Sequence, residues 1–74
     1  MEFEKIREII ADVLNRDVEE IKKESRFTED LGCDSLDVMS IVFAVENAFS
    51  VKIPDELLQS IVTVGDVEER LKEL

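Results

Sequence analysis

Apolar residues return every three or four positions at the start of the chain, where Phe3, Ile6, Ile9, Ile10, Val13 and Leu14 share one helical face. This spacing predicts an amphipathic helix over residues 3 to 14, with Asn15 as its stop. The periodicity lapses in "RDVEEIKKESRF", a long connection whose Val18, Ile21 and Phe27 are expected to tuck into the core. Thr28 is placed to cap a short turn ending at Gly32. Helical spacing resumes at Asp34, a good N-cap, and Asp37 three residues on completes a capping box with aspartate in the usual glutamate position. Both carboxylates also suit the positive end of a helix dipole. This second helix is expected to run to about Ser50. Pro54 opens a short third helix over residues 54 to 60, with proline at the first helical position. Thr63 and Asp66 repeat the capping spacing, and Val64, Val67, Leu71 and Leu74 mark a fourth helix. No alternating strand pattern, Gly-rich loop or repeat occurs. The reading is all-α: a small four-helix bundle with a long first loop and a short third helix, one domain over residues 1–74.

The second helix carries one apolar face too many. At about 100° per residue, Val38, Ile41, Val42, Val45 and Phe49 fall on one side and Leu36, Met39 and Phe43 on roughly the opposite side. The first stripe suits a core. A bundle this small cannot easily bury both, and an exposed apolar strip marks an interaction surface.

Charge sharpens that picture. Nineteen acids against nine bases give a formal net charge of −10, which repels phosphate backbones and anionic lipid and argues against nucleic acid and membrane surfaces as partners. Between Phe27 and Val51 there is no Lys or Arg, while Glu29, Asp30, Asp34, Asp37 and Glu46 all fall there. The apolar strip of the second helix therefore has an acidic rim, suited to basic partners. The single cysteine, Cys33, excludes a disulfide scaffold and suits a reducing cytoplasm. No apolar run is long enough to span a membrane, and the start "MEFEKIREII" lacks the pattern of a signal peptide. A cytoplasmic monomer is expected.

Ser35 lies inside the anionic segment, between Asp34 and Leu36. A serine nucleophile needs a general base, and the chain has no histidine. Hydrolase chemistry is therefore set aside. Surrounding carboxylates raise rather than lower the pKa of Cys33, which reads as an inert small residue. "TEDLGCDSLDVM" does not place oxygen ligands as a calcium loop does, so no dedicated metal site is expected.

The stretch "EDLGCDSLD", followed by "IVFAVENAF", "IPDE" and "IVTVGDV", resembles the acyl carrier proteins over essentially the whole chain, most closely those of bacterial fatty acid synthesis. In that family the serine of an Asp-Ser-Leu motif at the start of the second helix receives 4′-phosphopantetheine from coenzyme A. The resemblance implies that attachment at Ser35, carriage of acyl groups as thioesters on the arm, and no catalysis by the protein itself. It implies as partners a phosphopantetheinyl transferase and basic-surfaced acyl-transfer and fatty acid synthesis enzymes. Leu36, Met39 and Phe43 would then centre the partner interface, with Asp34, Asp37 and Glu46 guiding basic rims. Phe27, Leu31, Val45, Ile61, Val67 and Leu71 become candidates to line a cleft for the acyl chain, or are simply core. Ser40 and Asn47 stand where members of the bacterial type often carry acids, and Cys33 where alanine is common. These departures leave carriage intact and bear on partner identity. A specialised carrier for polyketide, amino-acid or lipid-modification chemistry is the second reading, and an unmodified acidic interaction module the reading outside the family.

Overall fold

The computed structural model describes residues 2–74. Helix α1 (Glu2–Leu14) is followed by a 3-10 turn (Val18–Glu20), α2 (Ser35–Phe49), α3 (Asp55–Leu58) and α4 (Val64–Lys72). Among the described residues the only extended pairing is a single antiparallel bridge between Arg26 and Thr63.

Helix α1 packs on α2 and α4, burying Ile6, Ile10 and Ala11. It ends where Asn15 turns left-handed at φ 56° and the Arg16 N–H returns to the Ala11 carbonyl at 2.9 Å, a closure asparagine tolerates better than most residues. The connection is then tied back to the helix: Arg7 Nε donates to the carbonyls of Val18 at 2.9 Å and Ile21 at 2.7 Å. Ile21 and Phe27 enter the core as expected, but Val18 does not and is 38% exposed. Its 3-10 turn offers the carbonyl to Arg7 and leaves the side chain outside. The turn over residues 27–31 is closed by Asp30, whose carboxylate accepts the Arg26 N–H at 2.8 Å, and not by Thr28.

Both expected capping boxes form, Asp34 with Asp37 on α2 and Thr63 with Asp66 on α4. Helix α2 buries Ile41, Val42 and Val45 and has Val38 and Phe49 packed half-buried against the same core. Fully burying one such Ile or Val side chain contributes roughly 1.5–3 kcal/mol. Helix α3 is shorter than expected. Pro54 has ψ 149° and is the N-cap of α3 instead of its first residue. Leu74 lies beyond α4 and is 51% exposed.

The long first connection is laced to the chain around the start of α4. Phe27 N–H donates to Val62 O at 3.0 Å, Val64 N–H to Ser25 O at 3.0 Å, and Gly65 N–H to Lys23 O at 2.9 Å. This lacing places residues 26–28 beside the Ile61–Val62 segment, and the two bound a hollow next to α2.

Candidate functional site

Ser35 is the first residue of α2 and is exposed. A hydrogen-bonded turn precedes it. Gly32 takes φ 68°, a conformation that favours glycine, and the Cys33 N–H then donates to Phe27 O at 2.8 Å. Cys33 turns inward and is 4% exposed. Asp34 follows as the N-cap: its Oδ1 accepts the Asp37 N–H at 2.9 Å, while Asp37 Oδ2 accepts the Asp34 N–H at 3.3 Å. The Val38 N–H goes to the Asp34 carbonyl at 3.1 Å. That leaves the N–H groups of Ser35 and Leu36 as first-turn donors without a helical partner. The serine hydroxyl thus stands at a capped helix start with two backbone donors beside it.

Next to it opens an apolar groove of about 460 Å³, lined by Cys33, Val38, Met39, Val42, Leu58 and Ile61 among others, with Ser35 itself on its edge. A smaller hollow of about 250 Å³ shares Thr28, Val38 and Ile61 with it and continues toward Phe27 and Val62.

The six residues expected to line a cleft are divided by the structure. Ile61 lines the groove and Phe27 borders the adjoining hollow. Leu31, Val45 and Val67 are closed into the core, and Leu71 packs half-buried against it without lining the groove. The groove wall on α2 is instead Val38 and Val42, one turn apart on the flank of the core stripe, with Leu58 facing it from α3. Val38 and Val42 were legible as core-side residues starting three positions after the serine, but nothing local distinguishes the flank of a core stripe from its centre. Leu58 and Gln59 carried no signal, because α3 had to be placed first.

The second apolar stripe of α2 is exposed. Leu36 is 76% exposed, Phe43 57% and Met39 39%. Its acids have inward roles: Asp34 and Asp37 hold each other's N–H groups, and Glu46 Oε2 accepts the Ile53 N–H at 2.7 Å. All three carboxylates are held by hydrogen bonds within the chain.

The thiol of Cys33 is pushed above its ordinary pKa first by burial and then by Asp37 and Asp34, with Arg16 acting in the opposite sense. It is a poor nucleophile in the folded protein. Among the described residues no cluster of three or more His, Cys, Asp or Glu could hold a metal ion, and no helix is long and apolar enough to cross a membrane. The Ser35 hydroxyl stands on the edge of this apolar groove, in a chain that contains no histidine.

A family model described as "Phosphopantetheine attachment site" matches residues 4–71. An acyl carrier protein of Wolinella succinogenes is 52% identical over 65 residues, covering 88% of this chain and 86% of that one. One of Clostridium acetobutylicum is 47% identical over 72 residues, covering 97% and 94%. The solved structure of a chain described as an acyl carrier protein from Mycobacterium tuberculosis superposes with a TM-score of 0.90 at 30% identity, covering 97% of this chain and 96% of the other.

Proposed function

The chain belongs to the acyl carrier proteins, and from that premise we propose that Ser35 is the residue carrying its 4′-phosphopantetheine. The protein is a non-catalytic carrier with that group covalently attached. When attached, the group supplies a terminal thiol on which acyl groups ride as thioesters.

The observation that carries the assignment is the exposed hydroxyl at the first position of α2 on the edge of the apolar groove. No other serine combines these features. Ser25 is buried and accepts the Lys22 N–H; Ser40 lies inside α2; Ser50 is its left-handed C-cap; the Ser60 hydroxyl donates to the Leu57 carbonyl. The site fits a phosphodiester in a second respect. The Ser35 and Leu36 N–H groups and the helix dipole favour an anion there, and offset the nearby Asp34 and Asp37 charges. Val38, Val42, Leu58 and Ile61 offer a carried acyl chain shelter from water.

Fatty acid synthesis in the cytoplasm is the pathway we assign, with a phosphopantetheinyl transferase and basic-surfaced acyl-handling enzymes as partners. The relatives named acyl carrier protein support it, as do the net charge of −10 and the exposed Leu36, Met39 and Phe43. Leu36, Met39 and Phe43 are the proposed centre of contact, and Asp34 and Asp37 part of its electrostatic rim. Incubating the apo protein with coenzyme A, magnesium and a broad-specificity transferase should add one phosphopantetheine by intact mass. Ser35→Ala should stay unmodified, and a modified Ser35→Ala would overturn the assignment.

A further inference from the structure

Glu46, near the C-terminal end of α2, does more than lend charge to the partner face. Its carbonyl accepts the N–H of Ser50, where the chain turns left-handed at φ 55°, and that of Val51 at 3.0 Å. Its side chain reaches further: Oε2 accepts the Ile53 N–H at 2.7 Å in a part-buried setting. One residue thus holds three N–H groups of the segment joining α2 to α3. Ile53 is 2% exposed, so its N–H needs a partner from within the chain. Pro54, with no N–H of its own, follows immediately at the N-cap position of α3. That helix has four residues and no side-chain cap, too little to hold its own position. Yet α3 supplies Leu58 to the groove beside Ser35 and leads into Ile61.

We infer that Glu46 is a positioning residue: by gripping the Ile53 N–H it sets α3 as one wall of the groove. It is not chiefly a docking charge. This rests on the groove being the shelter of the carried acyl chain. The two roles demand different things of the side chain. A latch needs an acceptor at the full reach of a glutamate, whether charged or not. A docking charge needs the negative charge, and tolerates a side chain one methylene shorter.

Two conservative variants therefore separate them. Glu46→Gln keeps the reach and loses the charge; Glu46→Asp keeps the charge and loses the reach. In the apo proteins, amide hydrogen exchange at Ile53 should stay within about three-fold of wild type in Glu46→Gln and rise about ten-fold or more in Glu46→Asp, given the strength of a buried hydrogen bond. After loading with an octanoyl thioester, cleavage by hydroxylamine should be faster in Glu46→Asp and near wild type in Glu46→Gln. Modification by the transferase should be near wild type, with the same salt dependence, in Glu46→Gln. The reverse order, with Gln impaired and Asp normal, would overturn the proposal. So would loosened Ile53 exchange with no change in thioester lifetime, which would restrict Glu46 to the connection and exclude the groove. The exchange measurement needs no prosthetic group. Failure of wild type to be modified would thus count against the carrier assignment at Ser35 and leave the latch separately decided.

Discussion

Cys33 and Ser35 stand two residues apart and meet opposite environments. The thiol is 4% exposed and its pKa is raised, burial being the first cause and Asp37 the next. The hydroxyl is exposed on the groove edge. With an ordinary value of 9.0 already pushed upward, little thiolate forms near neutrality. A disulfide reagent such as dithionitrobenzoate should label native Cys33 at least about ten-fold more slowly than the denatured chain at the same pH. Equal rates would show the thiol to be accessible. The neighbouring acids were readable as a cause from the sequence. Burial was not, because it follows from Gly32 turning the chain so that residue 33 faces inward and residue 35 does not. Gly32 itself has open space where a Cβ would go, so Gly32→Ala should be destabilising by about 1 kcal/mol through its positive φ alone. A melt with an unchanged midpoint would contradict that strain. Ser35→Ala, at an exposed site whose hydroxyl is not needed for the cap, should melt within about 0.5 kcal/mol of wild type.

At the level of elements, what is local was legible and what is tertiary was not. Both capping boxes form where Asp34–Asp37 and Thr63–Asp66 announce them, since a cap is decided within four residues. Val18 misled because its fate depends on Arg7, eleven residues earlier. Pro54 suited the first position of a helix equally well as the N-cap, and the Glu46–Ile53 bond upstream of it gave no sequence signal. The α4 cap has a consequence for pH. Burial of Asp66 opposes its charge, but the Thr63 and Val62 N–H groups, the Thr63 hydroxyl and Arg70 outweigh it, so its pKa lies below the ordinary 3.8. A depressed folded value means the ionised form stabilises the fold in full above about pH 4, and that stability is lost as pH falls through the lower folded value. Asp66→Asn should therefore melt below wild type at neutral pH, and the gap should narrow steadily below about pH 4. A gap independent of pH would assign the loss to shape instead of charge. Gly65, in the first turn of α4, gives a contrasting case. Alanine there has the better helix propensity, but its Cβ would lie 3.1 Å from the Lys23 carbonyl oxygen, the atom that accepts the Gly65 N–H at 2.9 Å. The carbonyl is held by the bond it would have to loosen. Gly65→Ala should lower Tm despite its propensity.

The whole molecule presents a net charge of −10, with no base between Phe27 and Val51, around a stripe whose Leu36 is 76% exposed. These features act on different rate constants. The summed field draws a cationic partner in from a distance, and is screened beyond about 10 Å at 0.1 M salt. In the proposed interface the apolar stripe would act only after contact, once water has left it. Asp37→Lys is a poor probe of the field, because Asp37 holds the Asp34 N–H and its loss would damage the α2 cap as well. Salt is the cleaner variable. Association of the apo protein with its transferase should slow steeply as sodium chloride is raised, and Leu36→Ala should show the same slope with nearly the same association rate. Its dissociation should instead quicken by about ten-fold, the kinetic equivalent of roughly 1.4 kcal/mol lost from the centre of an interface. Melting controls the alternative. Truncating a side chain already in water removes little burial, so Leu36→Ala should keep the wild-type Tm. By contrast Ile41→Ala, 1% exposed on the opposite stripe, should lose about 2–5 kcal/mol. A sharp fall in Tm for Leu36→Ala with unchanged transferase kinetics would place the stripe in the core. A change confined to dissociation, at every salt concentration, would place it at the centre of the interface.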